Sequence, residues 1–125
     1  MSPPCSAIRV VVVDDDASFR TGLGANLVDD GHPVSEYDDP QKVPADVIRS
    51  VDVVLTDYQM GPVDGLMFAD SVHAQRPEAV IILTTAYWTV EIETAVATRP
   101  FLQLCRKPVD YDELHELVHQ AVSAR

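Results

Sequence analysis

The sequence predicts an α/β fold in which a parallel sheet is covered by helices on both faces. Three observations carry the prediction. Five apolar runs rich in β-branched residues recur along the chain, helix-like segments separate them, and the run Val10 to Val13 is apolar at four consecutive positions rather than at every second one. Strands that alternate with helices call for the long crossovers of a parallel sheet, and a strand without a polar face has to be buried on both sides.

Each element follows from its residues. The first strand is read over residues 7–13, "AIRVVVV". Phe19, Leu23 and Leu27 then keep helical spacing, although Gly22 and Gly24 each cost such a helix about 1 kcal/mol relative to alanine. Residues 33–37, "PVSEY", form the second strand. Residues 41–50 leave room only for a short helix starting near Pro44, because proline suits a first turn and no later one. The third strand is "VDVVLT", residues 51–56, followed by a helix marked by Leu66, Ala69 and Val72. "AVIILT", residues 79–84, is the fourth strand; a further helix separates it from the fifth, "FLQLC", residues 101–105. The last helix has the clearest signals: Asp110 at the cap, Glu113 at the reciprocal capping position, and Leu114, Leu117, Val118, Ala121 and Val122 as one apolar stripe.

At 125 residues and 46% hydrophobic, the chain is expected to form one domain over 1–125, with residues 1–6 a loose N-terminal tail. Nine basic against twenty acidic residues give a net charge of −11, which repels nucleic-acid phosphates and anionic lipid. Direct nucleic-acid binding is therefore excluded as an expectation. Cys5 and Cys105 make neither a disulfide framework nor a metal-spaced cluster, which points to a reducing, cytoplasmic setting. No apolar run approaches the roughly 20 residues that span a bilayer, and "MSPPCSA" lacks the regions of a signal peptide.

In an open parallel sheet, ligands bind beyond the carboxyl ends of the strands. Those ends carry Asp14, Asp15 and Asp16 after the first strand, Asp57 after the third, Thr85 after the fourth, and Lys107 with Pro108 after the fifth. Singly, each has a plain structural role: Asp16 as a helix cap, Thr85 as a strand-end hydroxyl, Asp57 as a loop cap, Lys107 as a surface lysine. Together, carboxylates, a hydroxyl and a lysine on one edge are the inventory for holding a magnesium ion and a phosphoryl group. The acids also need a reason to be adjacent. Two such charges about 5 Å apart repel by roughly 3 kcal/mol at an effective dielectric near 20, a liability unless a cation sits among them.

The stretches "VVVVDDD", "VVLTDYQM", "VDGL", "IILTTA" and "CRKPVDYDEL" resemble the receiver domain of bacterial two-component response regulators, from about residue 8 to 122. The resemblance implies a flavodoxin-like, doubly wound sheet of five parallel strands in the order 2-1-3-4-5. It implies transfer of a phosphoryl group from a sensor histidine kinase, or from a phosphotransfer protein, to Asp57. Carried over by position, Asp15 and Asp57 would bind Mg2+ directly, the Gln59 backbone carbonyl would join them, and Asp14 would act mainly through water. Thr85 and Lys107 would bind the phosphoryl group. Such a domain is an acceptor that takes part in its own phosphotransfer and dephosphorylation, not an enzyme in the usual sense. Its partner-binding surface would switch on phosphorylation, and a homodimer is compatible with it.

Two features depart from the family pattern. "MGPVDG" puts Gly61 before Pro62 where proline usually follows the methionine directly, which bears on the turn presenting Gln59. Leu104 occupies the place of an aromatic switch residue, three positions before Lys107. Ala86, Tyr87 and Trp88 are then the candidates for a moving loop, although a simple hydrophobic cover for the next helix is the favoured reading of Tyr87 and Trp88. "TAYWTVEIETAV" with "KPVDYDEL" is similar to receivers joined to ATPase-type transcription activators, so the chain reads as a single-domain regulator or an excised receiver.

Two rival functions share these residues. "VVVVDDDAS" also resembles the nucleophile motif of haloacid-dehalogenase-like phosphatases, with Asp14 attacking and Asp16 as acid, but that reading leaves Asp57 unexplained. A phosphorylation-independent, receiver-like binding module would fit Leu104 and "MGPVDG", yet it leaves the complete set Asp14, Asp15, Asp57, Thr85 and Lys107 without a use.

Overall fold

The computed structural model describes residues 8–58 and 64–123, the side chains of residues 121 and 122 excepted. The N-terminal tail with Cys5, and the positions Gln59, Gly61 and Pro62, lie outside the described residues, as do the side chains of Ala121 and Val122.

Five strands, β1 (Val10–Val13), β2 (Val34–Tyr37), β3 (Val53–Asp57), β4 (Val80–Thr85) and β5 (Leu102–Arg106), pair in parallel in the order β2-β1-β3-β4-β5. The order inferred from the resemblance is the observed one. Val10 sits in register with Val34 on one side and Val53 on the other, and Thr85 with Arg106 at the far end. Strand order reverses at β1, so the crevice between the ends of β1 and β3 is the place this topology reserves for chemistry.

Period-two alternation divides the core into two halves. Val11, Val13, Val54, Ile81 and Leu83 face Ile48 of α2 (Ala45–Ser50) and Phe68, Ala69 and Val72 of α3 (Gly65–Gln75). Val10, Val12, Val53, Leu55 and Ile82 face Leu23 and Leu27 of α1 (Ala17–Asp29) and Leu114 and Val118 of α5 (Tyr111–Ser123). The central strands are buried almost throughout and the edge strands β2 and β5 only in part, the pattern of a sheet covered on both faces.

The helix boundaries follow their caps. Asp16 starts α1 by accepting from the Phe19 amide at 3.1 Å, and Asp64 starts α3 by accepting from the Met67 amide at 2.8 Å. Thr89 starts α4 (Val90–Ala97) with a bond from the Ile92 amide. Asp110 accepts from the amides of Asp112 and Glu113 ahead of α5. Pro44 stands at the cap of the short α2, as proline's fixed φ allows, and a 3-10 turn at Pro40–Lys42, absent from the sequence reading, precedes it. Gly24 lies where α1 crosses β2: a Cβ there would come 2.7 Å from a Glu36 carboxylate oxygen.

Candidate functional site

Asp14, directly after β1, is 1% exposed, while Asp15 and Asp16 are exposed. β3 ends in Asp57, whose side chain is 13% exposed. From β5, Lys107 reaches back between them: its Nζ donates to Asp14 Oδ2 at 2.9 Å and lies 3.5 Å from Asp57 Oδ1. Its backbone amide donates to the Thr85 carbonyl at 2.7 Å, which ties the end of β5 to that of β4, and the Lys107–Pro108 peptide that follows is cis. Asp14, Asp15 and Asp57 each bring a carboxylate oxygen within 4.8 Å of the other two, so this trio could hold a metal ion. Asp16 stands apart from the trio as the α1 cap, the bland role read for it from sequence.

Chemistry divides the three acids. Both Asp14 oxygens are engaged, Oδ2 by Lys107 and Oδ1 by the Asp16 amide at 2.9 Å. Burial pushes the Asp57 carboxyl above the usual range, the Lys107 charge pulls it back, and the Asp14 charge pushes it up again. For Lys107, burial works against the charge, but the Asp14 hydrogen bond and the charges of Asp14 and Asp57 outweigh it, so the ammonium is held above its ordinary value. Three carboxylates facing one ammonium leave a negative surplus built from hard oxygen donors, the donor set that suits Mg2+.

Thr85 is buried, and its hydroxyl both accepts from the Tyr87 amide at 3.0 Å and donates to the Tyr87 carbonyl at 2.9 Å. The switch-loop candidates are placed differently from one another. Ala86 is exposed, and Leu104 packs part-buried against the core half that contains Leu83. Tyr87 and Trp88 are 64% and 39% exposed. Trp88 lies against the next helix and bridges it to the sheet: its indole N–H donates to Glu93 on α4, and the Arg106 guanidinium at the end of β5 lies 4.7 Å from its ring centre.

Three residues that sequence reasoning passed over support the site. Phe19, read only as part of an apolar stripe, places its ring centre 4.5 Å from Lys107 Nζ. Arg20 donates to the Asp14 carbonyl at 2.7 Å and pairs with Glu36 at 3.5 Å. Gly65 lets α3 approach the end of β3: a Cβ there would come 2.3 Å from the Asp57 carbonyl oxygen. A glycine directly after a cap residue, as in "VDGL", was the available signal for the last; nothing in the sequence flagged the other two.

The family profile described as "Response regulator receiver domain" matches residues 10–119. The transcriptional regulatory protein ZraR of Salmonella typhimurium is 32% identical over 117 residues, 93% of this chain and 26% of that protein. The chain thus spans about a quarter of the length of the curated relatives it matches. Among solved structures, a CheY-like response regulator receiver domain protein from Methanospirillum hungatei JF-1 superposes with a TM-score of 0.86 at 21% identity, covering 95% of this chain and 96% of that one. A response regulator receiver protein from Pseudomonas putida gives 0.79 at 28% identity, covering 91% and 97%.

Proposed function

Since the chain belongs to the response regulator receiver domain family, we propose that Asp57 accepts a phosphoryl group from the phosphohistidine of a sensor histidine kinase or phosphotransfer protein, in a Mg2+-dependent reaction that switches a partner-binding surface. The observation that carries the proposal is the placement of Asp57: a partly exposed carboxylate at the β1–β3 crevice, beside the Lys107 ammonium and two further acids.

A carboxylate is a weak nucleophile, but a phosphohistidine is an activated donor, so placement and charge neutralisation are most of what the acceptor must supply. Asp57 provides the attacking oxygen and Lys107 a fixed positive charge for the oxygens of the transferred group. Thr85 donates a hydrogen bond from its hydroxyl to one of those oxygens. Arg20 holds the backbone of Asp14, and the Phe19 ring flanks the Lys107 ammonium, so both steady the charged groups around the acceptor. Bound between Asp15, Asp57 and, outside the described residues, the Gln59 carbonyl, with Asp14 nearby, Mg2+ would supply the remaining charge neutralisation. No helix among the described residues is long and apolar enough to cross a membrane. The reading places the domain in the cytoplasm, where the catalytic parts of sensor kinases work.

The phosphatase reading is weakened by Asp14, whose two oxygens are already hydrogen-bonded and which is buried. Acetyl phosphate with Mg2+ is the test that separates the readings. Intact-mass analysis should show one added phosphoryl group, absent without Mg2+ and absent in Asp57→Asn. Labelling that survives Asp57→Asn, or that moves to Asp14, refutes the assignment. A chain that takes no label yet binds its partners supports the phosphorylation-independent module.

A further inference from the structure

Ala86, Tyr87 and Trp88 join the end of β4 to Thr89, the cap of α4, and both ends of this short loop are fixed. At the sheet end, the Lys107 amide donates to the Thr85 carbonyl at 2.7 Å, and Arg106 is the register partner of Thr85 across the β4–β5 ladder. At the helix end, Thr89 accepts from the Ile92 amide at 3.2 Å, and the Glu93 amide donates to the Thr89 carbonyl at 3.0 Å. Between these anchors the Trp88 ring is held twice, by the Glu93 carboxylate on its N–H and by the Arg106 guanidinium 4.7 Å from its centre. An indole has a single proton to donate, so the bond to Glu93 uses all of its polar capacity. Arg106 and Lys107 are consecutive cations with different partners: Lys107 reaches Asp14 and Asp57, and Arg106 reaches the loop.

We propose that Arg106 and Glu93 are positioning residues for Thr85: by clasping Trp88 they hold the loop in the form that commits the Thr85 hydroxyl to Tyr87, and so set how readily Thr85 engages a phosphoryl group on Asp57. This role rests on the proposed function of Asp57 as acceptor. The Thr85 hydroxyl donates to the Tyr87 carbonyl at 2.9 Å and accepts from the Tyr87 amide at 3.0 Å. Turning its proton toward a phosphoryl oxygen breaks the first of these bonds and frees the carbonyl to move. That carbonyl belongs to the peptide unit between Tyr87 and Trp88, whose atoms lie in one rigid plane that ends at the Trp88 Cα. The plane cannot swing while the ring on its far end stays clasped.

A cation over an exposed ring is worth about two- to fivefold in an equilibrium. A ligand that needs the released loop gains affinity by the same factor when the clasp is removed, because the competent form is then more populated. Long-range charge makes a different prediction. Loss of the Arg106 charge weakens the attraction of an anion to the site, whereas loss of the Glu93 charge strengthens it. Loss of the clasp tightens binding in both cases.

Calorimetric titration of the whole chain with beryllofluoride, at saturating Mg2+, tests the proposal. Arg106→Gln and Glu93→Gln are each expected to bind this phosphoryl mimic about two- to fivefold more tightly than the parent, although they remove charges of opposite sign. Arg106→Lys, which keeps a cation able to lie over the ring, should return toward the parent. In a Thr85→Ala background neither substitution should change the affinity, since the clasp acts through that hydroxyl. A merely structural clasp would lower the melting temperature of the variants and leave their affinity where it was. Unchanged affinities in a chain whose parent binds the mimic overturn the proposal, as do shifts of opposite sign in the two variants or an effect that survives in Thr85→Ala. A parent that does not bind the mimic overturns the acceptor reading of Asp57 itself, and the clasp with it.

Discussion

A threonine hydroxyl has one proton to give, and that of Thr85 is already given to the Tyr87 carbonyl. To donate to a phosphoryl oxygen, Thr85 would have to release that carbonyl, so on the proposed function its engagement of a phosphorylated Asp57 and displacement of the backbone at Tyr87 would be one event. Trp88, the chain's only tryptophan, is the next residue, clasped by Glu93 and Arg106. Its emission should therefore change in two steps, first with Mg2+ and then with beryllofluoride, a phosphoryl mimic. Thr85→Ala should keep the first step and shrink the second, since it removes the hydrogen bond that couples the site to the loop. An undiminished second step in that variant means the loop answers by another route. With Leu104 in place of an aromatic ring, the exposed pair Tyr87 and Trp88 is what remains on this flank to report the change.

Between elements, two glycines make opposite predictions from the same substitution. Gly22 lies inside α1 with open space where a Cβ would stand, so Gly22→Ala should stabilise the fold by up to about 1 kcal/mol. Gly65 opens α3 against the end of β3, where a Cβ would meet the Asp57 carbonyl oxygen at 2.3 Å and Leu83 at 2.8 Å. Gly65→Ala should cost about 1–3 kcal/mol through overpacking, and it should slow acetyl phosphate labelling because the backbone of the acceptor has to shift. Urea midpoints moving in opposite directions are the expected result; a neutral Gly65→Ala would show that α3 can slide away from β3. The contrast also marks what was legible beforehand. Strand identity and order, the short helix behind Pro44, the caps at Asp16 and Asp110, and the residues at the strand ends could be read because they depend on local pattern and on motif. The cation–π contact of Phe19, the bond from Arg20 to the Asp14 carbonyl and the ring contacts that join His119 to His32 and to His115 depend on which faces meet in space, and sequence spacing alone does not encode that. The surface setting of Trp88 has the same root: its apolar body suggested a plain cover for the next helix, and spacing did not show that Glu93 and Arg106 would hold it there.

For the molecule as a whole, the acidic edge is a site held at the expense of stability. Burial, with the nearby Asp14 charge, raises the Asp57 carboxyl pKa despite Lys107. A carboxyl that binds its proton more tightly when folded disfavours folding once it ionises. Its cost is absent below the unfolded value and present in full above the raised folded one, so metal-free stability should fall as pH rises through that window. Lys107 acts in the opposite sense and elsewhere: its raised pKa contributes stability below its unfolded value of 10.5 and is lost only as pH rises beyond it. At neutral pH a cation that binds the ionised trio should therefore stabilise the fold. Ten times the dissociation constant of Mg2+ should add about 1.4 kcal/mol, which is about 5 °C in melting temperature for a domain of this size. Asp57→Asn should raise the melting temperature of the metal-free chain near pH 7 and nearly abolish the magnesium increment. Acidification through the raised Asp57 pKa should remove the same increment in the parent, because proton and metal compete for one carboxylate. Thermal melts over a pH series, with and without Mg2+, read all three effects. A magnesium increment that persists in Asp57→Asn would remove Asp57 from the ion's ligands and separate the metal site from the proposed acceptor.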